Sequence, residues 1–551
     1  MNTSKKTAVI IFVGLFLGTM FTSVAQIGHG GLPYSFKKNA TVSQLNVEWL
    51  PYSDNNLLLE AEIAVPSKQD GFVFGKEIEV DYNLKNSGLW ETLPDGGRLW
   101  RLGIESTGAY SLNLLFDKFN IPPHSHLFIY TEDKSFIMGK FTEANNNQWG
   151  NFATSLLPSD AIVLEYYESL QDYDKGIIQV STVVHGYKDF LFRKSSYGTS
   201  KAKCHIDANC EEGNKYPNAK RSVAVILSGG HGYCSGALIN NTAHDGKPYF
   251  LTANHCLSSN LSQYVFVFNH ESTGCNENTE KPTTETSING ATLLASHSHS
   301  DFALLLLNDK PTQDFNAYYA GWDRRNLAVA GAFGFHHPLG DMKKISINNK
   351  LLDSSKWDET DVSYPDNTHW KVTSWDKGST EGGSSGSPLF NSLEQIIGQL
   401  EGGTAECKGN NPTGLDLYGK FYYSWANGGN NQKKDARLDY WLDSIKTGEQ
   451  TILGYDPYKG SKSTNVTDKE LKENRITISI SPNPASDKVK IAANIQLFSY
   501  KIYTISGQCV RSETINSWSL DVNVNGLPEG IFIMEILTEN GVVHKKLCVQ
   551  R

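Results

Sequence analysis

The sequence of 551 residues lacks an excess of positive charge, with 50 lysines and arginines against 59 aspartates and glutamates. Its net charge is −9, and no run of basic residues offers a surface for a polyanion. Nucleic-acid binding is therefore excluded as a main function, because nucleic-acid-binding proteins carry clustered lysine and arginine. The composition, with 39% hydrophobic residues and 48 glycines, is typical of a globular, loop-rich and β-rich protein.

Long apolar runs are missing after the first 25 residues. The chain starts with basic residues at Lys5 and Lys6, continues with an apolar stretch over residues 8–21, and has small residues up to Ala25. This order predicts a cleaved signal peptide at residues 1–25. A membrane anchor is the alternative, but it needs roughly 20 apolar residues. We therefore expect a mature chain without a transmembrane anchor, in a compartment where disulfides persist.

Cysteine is absent from residues 26–194, where short apolar segments alternate with turns and predict a β-rich domain. Six of the eight cysteines and all candidate catalytic motifs fall in residues 195–455, a stretch long enough for a two-barrel β-domain. Residues 456–474 have the composition of a linker. Residues 475–551 alternate apolar and polar side chains and predict a small β-sandwich. The fold class is therefore mainly β.

A histidine and an aspartate in residues 195–455 lie at the ends of apolar strands. His255 follows an apolar segment and precedes Cys256, and Asp301 begins the apolar run over residues 302–307. An unpaired carboxylate at the start of a buried strand would be costly, so Asp301 needs a partner such as His255. These two residues supply the base and the orienting carboxylate of a serine hydrolase.

A loop of small residues at 382–388 contains the candidate nucleophile, Ser385. Such a loop brings a hydroxyl and the backbone N–H groups of Gly383 and Ser385 to one carbonyl, as an oxyanion hole. We predict that His255, Asp301 and Ser385 form the catalytic triad. Each signal alone is weak, because glycine-serine loops are usually turns and an aspartate before a strand is usually a cap. Their occurrence together carries the prediction.

Other assignments are less consistent with the order of these residues. A lipase or esterase would use Ser384 in Gly-x-Ser-x-Gly, but its histidine and acid follow the serine. A catalytically inactive, protease-like binding protein would have lost a triad member, and all three are present. His297 and His299 alternate as on a solvated strand face. We predict no metal and no cofactor.

The motifs around the triad resemble the trypsin-like superfamily and, within it, bacterial lysyl endopeptidases. The resemblance covers residues 204–455 and implies a chymotrypsin-like double β-barrel that cleaves after lysine. It also implies three disulfides, Cys204–Cys407, Cys210–Cys275 and Cys234–Cys256. The segments that carry the resemblance are Thr252-Ala-Asn-His255-Cys256, Gly383-Ser-Ser385-Gly-Ser-Pro388, Cys204-His-Ile-Asp-Ala-Asn-Cys210, Ala320-Gly-Trp-Asp-Arg-Arg325, His336-His-Pro338 with Lys344-Ile-Ser346, and Gly398-Gln-Leu-Glu-Gly-Gly403.

The sequence departs from relatives of this type at several positions. Ser384 replaces the aspartate that receives the new N-terminus in trypsin, so activation by that ion pair is not expected. Ser379 replaces trypsin's pocket aspartate, and Asp416 matches the later pocket aspartate of lysyl endopeptidases. Glu401 replaces a histidine that packs on a tryptophan, and Trp357 is the approximate counterpart of that tryptophan. We expect Asp416, Glu401 and Trp357 to contact substrate.

The two ends of the chain also resemble known modules. Residues 26–194 resemble a protease propeptide, which implies maturation after Lys194, Lys201 or Lys203. Residues 475–551 resemble a C-terminal sorting domain of the type IX secretion system, with a substrate-binding β-module as the alternative. Cys509 and Cys548 are not explained by that resemblance and are candidates for a fourth pair.

Together these observations predict a secreted serine endopeptidase that cleaves on the carboxyl side of lysine. Its expected partners are protein or peptide substrates and the type IX secretion machinery, and its expected location is extracellular or at the cell surface after passage through the periplasm. A broader preference for lysine and arginine is the alternative, since the effect of Glu401 is not fixed by the sequence. The physiological substrate and retention at the surface are also left open.

Overall fold

A computed structural model describes most of the chain outside its first 30 residues. The predicted signal peptide, the three candidate maturation lysines and most of the predicted linker lie outside the described residues. Within the described part no helix is long and apolar enough to cross a membrane. The described residues are 31–37, 42–64, 72–189, 204–275, 286–360, 365–426, 433–458, 478–504, 509–538 and 541–551.

The N-terminal unit consists of two β-sheets that enclose one apolar core. One sheet has the order β1-β5-β10-β7-β8, with β4 beside β5, and the other has the order β3-β11-β6-β9. These sheets agree with the β-rich domain predicted for residues 26–194. The elements are β1 Val47–Trp49, α1 Asn55–Ala64, β2 Phe72–Val73, β3 Gly75–Asn83, β4 Leu89–Thr92, β5 Arg98–Glu105, β6 Ser111–Asn120, β7 His126–Thr131, β8 Ile137–Phe141, β9 Phe152–Ala153, β10 Ala161–Glu168 and β11 Ile177–Gly186.

The central unit is also built from strands, with four short helices. Its elements are β12 Ile206–Asp207, α2 Glu211–Asn214, α3 Ala219–Ser222, β13 Val223–Ser228, β14 His231–Leu238, β15 Tyr249–Ala253, β16 Val265–Phe268, β17 Thr286–Asn289, β18 Ala291–His297, β19 Phe302–Leu307, β20 Gly321–Asp323, β21 Ala332–His336, β22 Lys344–Asn348, β23 Asp353–Ser355, β24 His369–Val372, β25 Pro388–Phe390, β26 Gln395–Gly403, β27 Glu406–Lys408, β28 Asn411–Thr413, β29 Asp416–Lys420, α4 Phe421–Trp425, α5 Asp439–Leu442 and β30 Thr451–Ile452.

These strands form two large sheets. The first runs β17-β16-β13-β14-β15-β19-β18, and the second runs β12-β22-β21-β25-β26-β29-β24-β23. Ile288 and Ala291, on the outermost strands of the first sheet, share one buried cluster, so that sheet curls around its own core. A second cluster joins the two sheets, with Leu251 and Phe302 from the first and Phe333 and Phe390 from the second. The predicted mainly β, chymotrypsin-like double barrel is confirmed.

Strand β19 lies between the two barrels, and its sequence is wholly apolar because both of its faces are buried. Successive strand residues point to opposite faces. Phe302 and Leu304 therefore enter the cluster between the barrels, whereas Leu305 and Leu307 enter the core of the first barrel. Both faces of this strand are buried, and Asp301, which precedes it, is held at the junction.

The C-terminal unit has five strands in one hydrogen-bonded sheet with its own apolar cluster. Cys509 and Cys548 are free. They lie on β33 and β35, with β32 and β34 between them, a separation of roughly 14 Å at the usual strand spacing. A disulfide needs Cα atoms within about 7 Å, so the fourth pair does not form. The strands are β31 Ile478–Ser481, β32 Lys488–Thr504, β33 Cys509–Asn523, β34 Gly530–Thr538 and β35 Gly541–Val549.

The central unit ends later than the sequence indicated. Asp456 forms an ion pair with Arg221 at 2.9 Å, and the Tyr458 hydroxyl donates to the Pro311 carbonyl at 2.7 Å. Residues 456–458, predicted as the start of the linker, therefore pack on the central unit. No local pattern predicts these contacts, because both partners are distant along the chain.

Candidate active site

The register of two neighbouring strands places His255 beside Asp301. Strands β15 and β19 are antiparallel, with Ala253 opposite Phe302. His255 lies in a single turn just after β15, and Asp301 lies just before β19. The histidine and the aspartate are therefore brought to the same end of the first barrel.

Three hydrogen bonds fix this pair. His255 Nδ1 lies 2.6 Å from Asp301 Oδ2, the His255 backbone N–H donates to Asp301 Oδ1 at 2.9 Å, and the Asn254 N–H donates to the Asp301 carbonyl at 2.7 Å. Asp301 is buried and has a left-handed backbone, with φ of 49°. A left-handed aspartate is uncommon and is held here by its neighbours. With Nδ1 facing the carboxylate, Nε2 is the atom that remains to accept a proton.

The pKa of His255 reflects two opposing effects. Burial lowers it, whereas the hydrogen bond and the negative charge of Asp301 raise it. The net effect raises the pKa of His255 above its ordinary value. An imidazole with a raised pKa is a stronger base, which suits a group that takes a proton from a hydroxyl near neutral pH.

The loop that carries Ser385 lies directly against the histidine strand. The Ser235 N–H donates to the Ser385 carbonyl at 2.8 Å. A Cβ added to Gly386 would lie 2.2 Å from Thr252 Oγ1 and 2.8 Å from the Ala253 nitrogen. Only glycine allows this approach, and it brings the serine loop beside the end of β15, two residues before His255.

The backbone N–H groups of this loop fall into two sets. Those of Ser384 and Gly386 donate to internal carbonyls, of Glu381 and Leu400 respectively. Among the described residues, the N–H groups of Gly383 and Ser385 donate to none. Gly383 also has a φ of 87°, which glycine adopts without strain. Two free N–H groups on the serine loop are the arrangement that an oxyanion needs.

Ser384 occupies a different environment from Ser385. It is fully buried, and its hydroxyl lies 2.9 Å from His336 Nδ1, whose Nε2 lies 2.9 Å from the Ser346 hydroxyl. Burial lowers the pKa of His336 well below its ordinary value, so this histidine is neutral. The buried Ser384–His336–Ser346 chain anchors the loop where trypsin uses an ion pair. It also leaves Ser384 unsuited to the nucleophilic role of the lipase alternative.

Asp416, at the start of β29, is a buried carboxylate with two neutral hydrogen-bond donors. Its Oδ2 atom accepts from Trp375 Nε1 at 2.7 Å and from Thr380 Oγ1 at 2.6 Å. No ion pair to Asp416 occurs within the described ranges. Burial raises the pKa of Asp416 to about 6, against the lowering effect of Thr380 and Trp375. Ser379 is buried beside Thr380 and supplies no charge.

Glu401 has a partner that sequence reasoning missed. Its Oε2 atom lies 2.6 Å from Nε2 of the buried His369, whose Nδ1 lies 2.8 Å from the Thr368 hydroxyl. Burial, with the charge of Asp301, raises the pKa of Glu401 to about 9, and burial lowers the pKa of His369. The carboxyl group is therefore protonated and neutral near pH 7. Glu401 differs in this respect from Asp416.

Trp357 lies on the same wall as this pair. Its ring centroid is 6.4 Å from that of His369, and a Cβ added to Gly402 would lie 3.3 Å from the indole. Trp357 is 41% exposed. The tryptophan–histidine contact that the resemblance implied is thus made with His369 from β24, while position 401 supplies the hydrogen bond.

Three disulfides join the pairs that the resemblance implied. Cys234–Cys256 links β14 to the histidine turn. Two side-chain groups have spacings that could suit a metal, but their cysteines are in disulfides and offer no thiolate, which a metal requires. The bonded pairs are Cys204–Cys407, Cys210–Cys275 and Cys234–Cys256. One of the two groups consists of Cys204, His205 and Cys407, and the other consists of Cys234, His255 and Cys256.

The double barrel, the histidine–aspartate pair and the serine loop define a serine endopeptidase. Residues 197–419 match the family described as lysyl endopeptidase, C-terminal domain, and residues 479–550 match the secretion system C-terminal sorting domain. Over 349 residues the chain is 28% identical to a lysyl endopeptidase from Pseudomonas aeruginosa, covering 58% of this chain and 71% of that protein. Residues 197–419 are therefore similar to the lysyl endopeptidases.

Two solved structures resemble part of the chain. Mouse neuropsin, a serine protease expressed in the limbic system, is 18% identical with a TM-score of 0.27, covering 38% of this chain and 93% of that one. An inactive mutant form of Rv3671c from Mycobacterium tuberculosis is 15% identical with a TM-score of 0.25, covering 37% of this chain and 84% of that one. Because both TM-scores are low, the fold assignment rests on the strand topology.

Proposed function

We propose that this serine endopeptidase cleaves peptide bonds on the carboxyl side of lysine, with Ser385 as the nucleophile. His255 Nε2 takes the hydroxyl proton as Ser385 Oγ attacks the carbonyl carbon, and Asp301 stabilises the imidazolium. The N–H groups of Gly383 and Ser385 stabilise the oxyanion. His255 then protonates the leaving amine, and water hydrolyses the acyl-enzyme by the same route in reverse.

The observation that carries the lysine assignment is the chemistry around Asp416. A buried carboxylate without a cation is costly, and the neutral donors Trp375 and Thr380 offset only part of that cost. A substrate ammonium placed beside Asp416 would supply the missing countercharge. The raised pKa of Asp416 is consistent with a carboxylate that has no countercharge in the free enzyme.

The geometry of Asp416 favours lysine over arginine. Both neutral donors bind the same oxygen, Oδ2, which leaves Oδ1 for the substrate. A guanidinium binds a carboxylate best through a fork to both oxygens, whereas an ammonium acts as a point charge. One available oxygen therefore suits lysine. A side chain at position 403 would crowd this oxygen, because a Cβ added to Gly403 would lie 2.7 Å from Oδ1.

Two measurements test the proposal. A fluorophosphonate should label the protein, and labelling should be lost in Ser385→Ala but kept in Ser384→Ala. Peptides that differ only in Lys, Arg or Leu before the scissile bond should be cleaved in the order lysine, arginine, leucine. Labelling that persists in Ser385→Ala would exclude the mechanism. Equal cleavage after arginine and lysine would replace the lysine assignment with a general preference for basic residues.

For the ends of the chain, we propose that residues 1–25 direct export, residues 26–194 form a propeptide, and residues 475–551 engage the type IX secretion machinery. The match to a sorting domain supports secretion or a cell-surface location. Removing residues 475–551 should leave peptidase activity intact, because the triad lies elsewhere, and should retain the protein in the cell envelope. Activity assays of cell fractions measure this. Normal amounts in the medium would contradict the sorting role.

A further inference from the structure

The two N–H groups proposed for the oxyanion belong to peptide bonds whose carbonyl groups are held on the opposite side. In a planar trans peptide the N–H and the C=O point in opposite directions, so a hydrogen bond to the carbonyl directs the N–H. The Leu339 N–H donates to the Gly382 carbonyl at 2.6 Å and thereby directs the N–H of Gly383. The Ser387 N–H does the same, at 3.0 Å, for the carbonyl that precedes Ser385.

The peptide bond between residues 383 and 384 lies between these two donors, and a side chain holds it. The buried Ser235 hydroxyl donates to the Gly383 carbonyl at 2.9 Å and accepts from the His337 N–H at 3.0 Å. On the other side of the same peptide, the Ser384 N–H donates to the Glu381 carbonyl at 3.0 Å. Rotation of this peptide would change the angle between the two donors, so the hydroxyl fixes their relative orientation.

Ser235 reaches the serine loop because the backbones are in close contact. A Cβ added to Gly386 would lie 2.5 Å from the Ser235 carbonyl oxygen, and a Cβ added to Gly383 would lie 2.9 Å from the His337 carbonyl oxygen. Ser235 lies on β14 of the first barrel, and His337 directly follows β21 of the second. The Ser235 hydroxyl therefore connects both barrels to the loop that carries the nucleophile.

We propose that Ser235 is a positioning residue for the oxyanion hole. This inference rests on the proposed function, in which Ser385 attacks a carbonyl carbon. Because Ser235 is fully buried, it acts through the loop and not on the substrate. Three of the four carbonyls of residues 382–385 accept from backbone N–H groups, and the fourth, that of Gly383, accepts from the Ser235 side chain. The hydroxyl is therefore the part of this network that a substitution can remove.

The test compares the unsubstituted enzyme with Ser235→Ala on one peptide substrate. Loss of a whole oxyanion donor costs about 10²- to 10³-fold in kcat. Both donors remain in Ser235→Ala but are less well oriented, so kcat should fall about tenfold to a hundredfold while KM changes less than about twofold. A peptide aldehyde, whose tetrahedral adduct places an oxygen in the hole, should bind more weakly by the same factor as kcat falls. Unchanged kcat, or a loss of kcat without weaker aldehyde binding, would overturn the proposal.

Matched variants separate the hydroxyl from general packing. Ser235→Thr and Ser235→Val have nearly the same shape and differ in the hydroxyl, so threonine should retain most of kcat and valine should lose it. This pair decides the question even where Ser235→Ala does not fold, and equal kcat in the two variants would contradict the proposal. Ser222 is an equally buried serine whose hydroxyl donates to the Ala219 carbonyl at 2.7 Å. Ser222→Ala should leave kcat unchanged, and a loss as large as that of Ser235→Ala would also contradict the proposal.

A failure of the proposed function gives a different result. Cleavage by the unsubstituted enzyme and its loss in Ser385→Ala test the nucleophile, whatever Ser235 does. The effect of Ser235→Ala should be the same for lysine and arginine peptides, because the hydroxyl does not reach the side-chain pocket. A loss confined to lysine peptides would overturn the positioning role and leave the serine mechanism intact.

Discussion

Two buried aspartates of the catalytic unit differ in how their charge is balanced. Asp301 accepts hydrogen bonds from the side chain and the backbone of His255. Among the described residues, the Asp416 carboxylate accepts side-chain hydrogen bonds only from the neutral groups of Trp375 and Thr380, and burial raises its pKa to about 6. The two carboxylates are of similar burial, so the difference lies in their partners.

Asp301 pairs with a side chain that can become a cation, whereas the two side-chain donors to Asp416 stay neutral. Asp301 has a partner within the fold, His255, which carries a positive charge when it is protonated. Asp416 has no such partner among the described side chains, and we propose that a substrate cation offsets its charge. We therefore expect substitution of these two residues to act on different quantities and, for stability, with different signs.

The largest effect is expected for Asp301→Asn. The amide no longer holds the His255 tautomer that leaves Nε2 free to accept a proton, so kcat should fall on the order of 10⁴-fold. Lysine, arginine and leucine peptides should all be affected equally. Steady-state kinetics on the three peptides measure this.

Asp323→Asn is a suitable control for Asp301→Asn. Asp323 is similarly buried but forms its ion pair with Arg325, which lies two residues further along the chain. Its substitution should lower stability and leave kcat nearly unchanged. A similar loss of kcat in both variants would show that general loss of structure, not the histidine tautomer, explains the result.

A smaller effect, on stability, is expected for Asp416→Asn. The pKa of Asp416 is about 6 in the folded chain and 3.8 as the reference value, so folding is favoured by protonation. The corresponding stability is fully present below pH 3.8 and is lost as the pH rises from 3.8 through 6, an amount of about 3 kcal/mol at most.

Asp416→Asn should remove this pH-dependent loss and make the free enzyme more stable than wild type at pH 8. Urea unfolding at pH 5 and pH 8, with Ser385→Ala in both proteins to prevent self-cleavage, measures the difference. A variant that is less stable than wild type at pH 8 would mean that the negative charge of the Asp416 carboxylate is already balanced within the protein.

The smallest effect is expected for Glu401→Gln, which extends the comparison to a third carboxyl group. Glu401 is hydrogen-bonded to His369, and its raised pKa keeps it neutral near pH 7. Glutamine preserves a neutral hydrogen-bonding group, so kcat/KM for lysine and arginine peptides should change by no more than about threefold. A loss of kcat/KM as large as that expected when one partner of an ion pair is removed would show that Glu401 carries charge in the substrate site.

Much of this architecture could be predicted from the sequence because it depends on local signals. His255 and Asp301 are marked by the apolar strands beside them, and Ser385 by its small-residue loop. The resemblance to lysyl endopeptidases supplied the disulfide pairs and Asp416. Such features can be recognised without knowledge of the strand register, because each lies within a few consecutive residues.

The partners of these residues could not be predicted in the same way. His336 meets Ser384, 48 positions away, and His369 meets Glu401, 32 positions away, because of the order in which the strands of the second barrel pair. The end of the catalytic unit was missed for the same reason, as Asp456 is held by Arg221. Long-range pairing, not local composition, decides these contacts.

The most direct test of the central claim, that Asp416 recognises the lysine ammonium, is a cycle of two enzymes and two substrates. Wild type and Asp416→Asn are each assayed on peptides that differ only in lysine or the neutral, straight-chain norleucine before the scissile bond. Loss of one partner of a buried ion pair costs about 3 to 5 kcal/mol. Asp416→Asn should therefore lower kcat/KM for the lysine peptide about a hundredfold or more and leave the norleucine peptide nearly unchanged. Equal losses on both peptides, or no loss on lysine, would contradict the account.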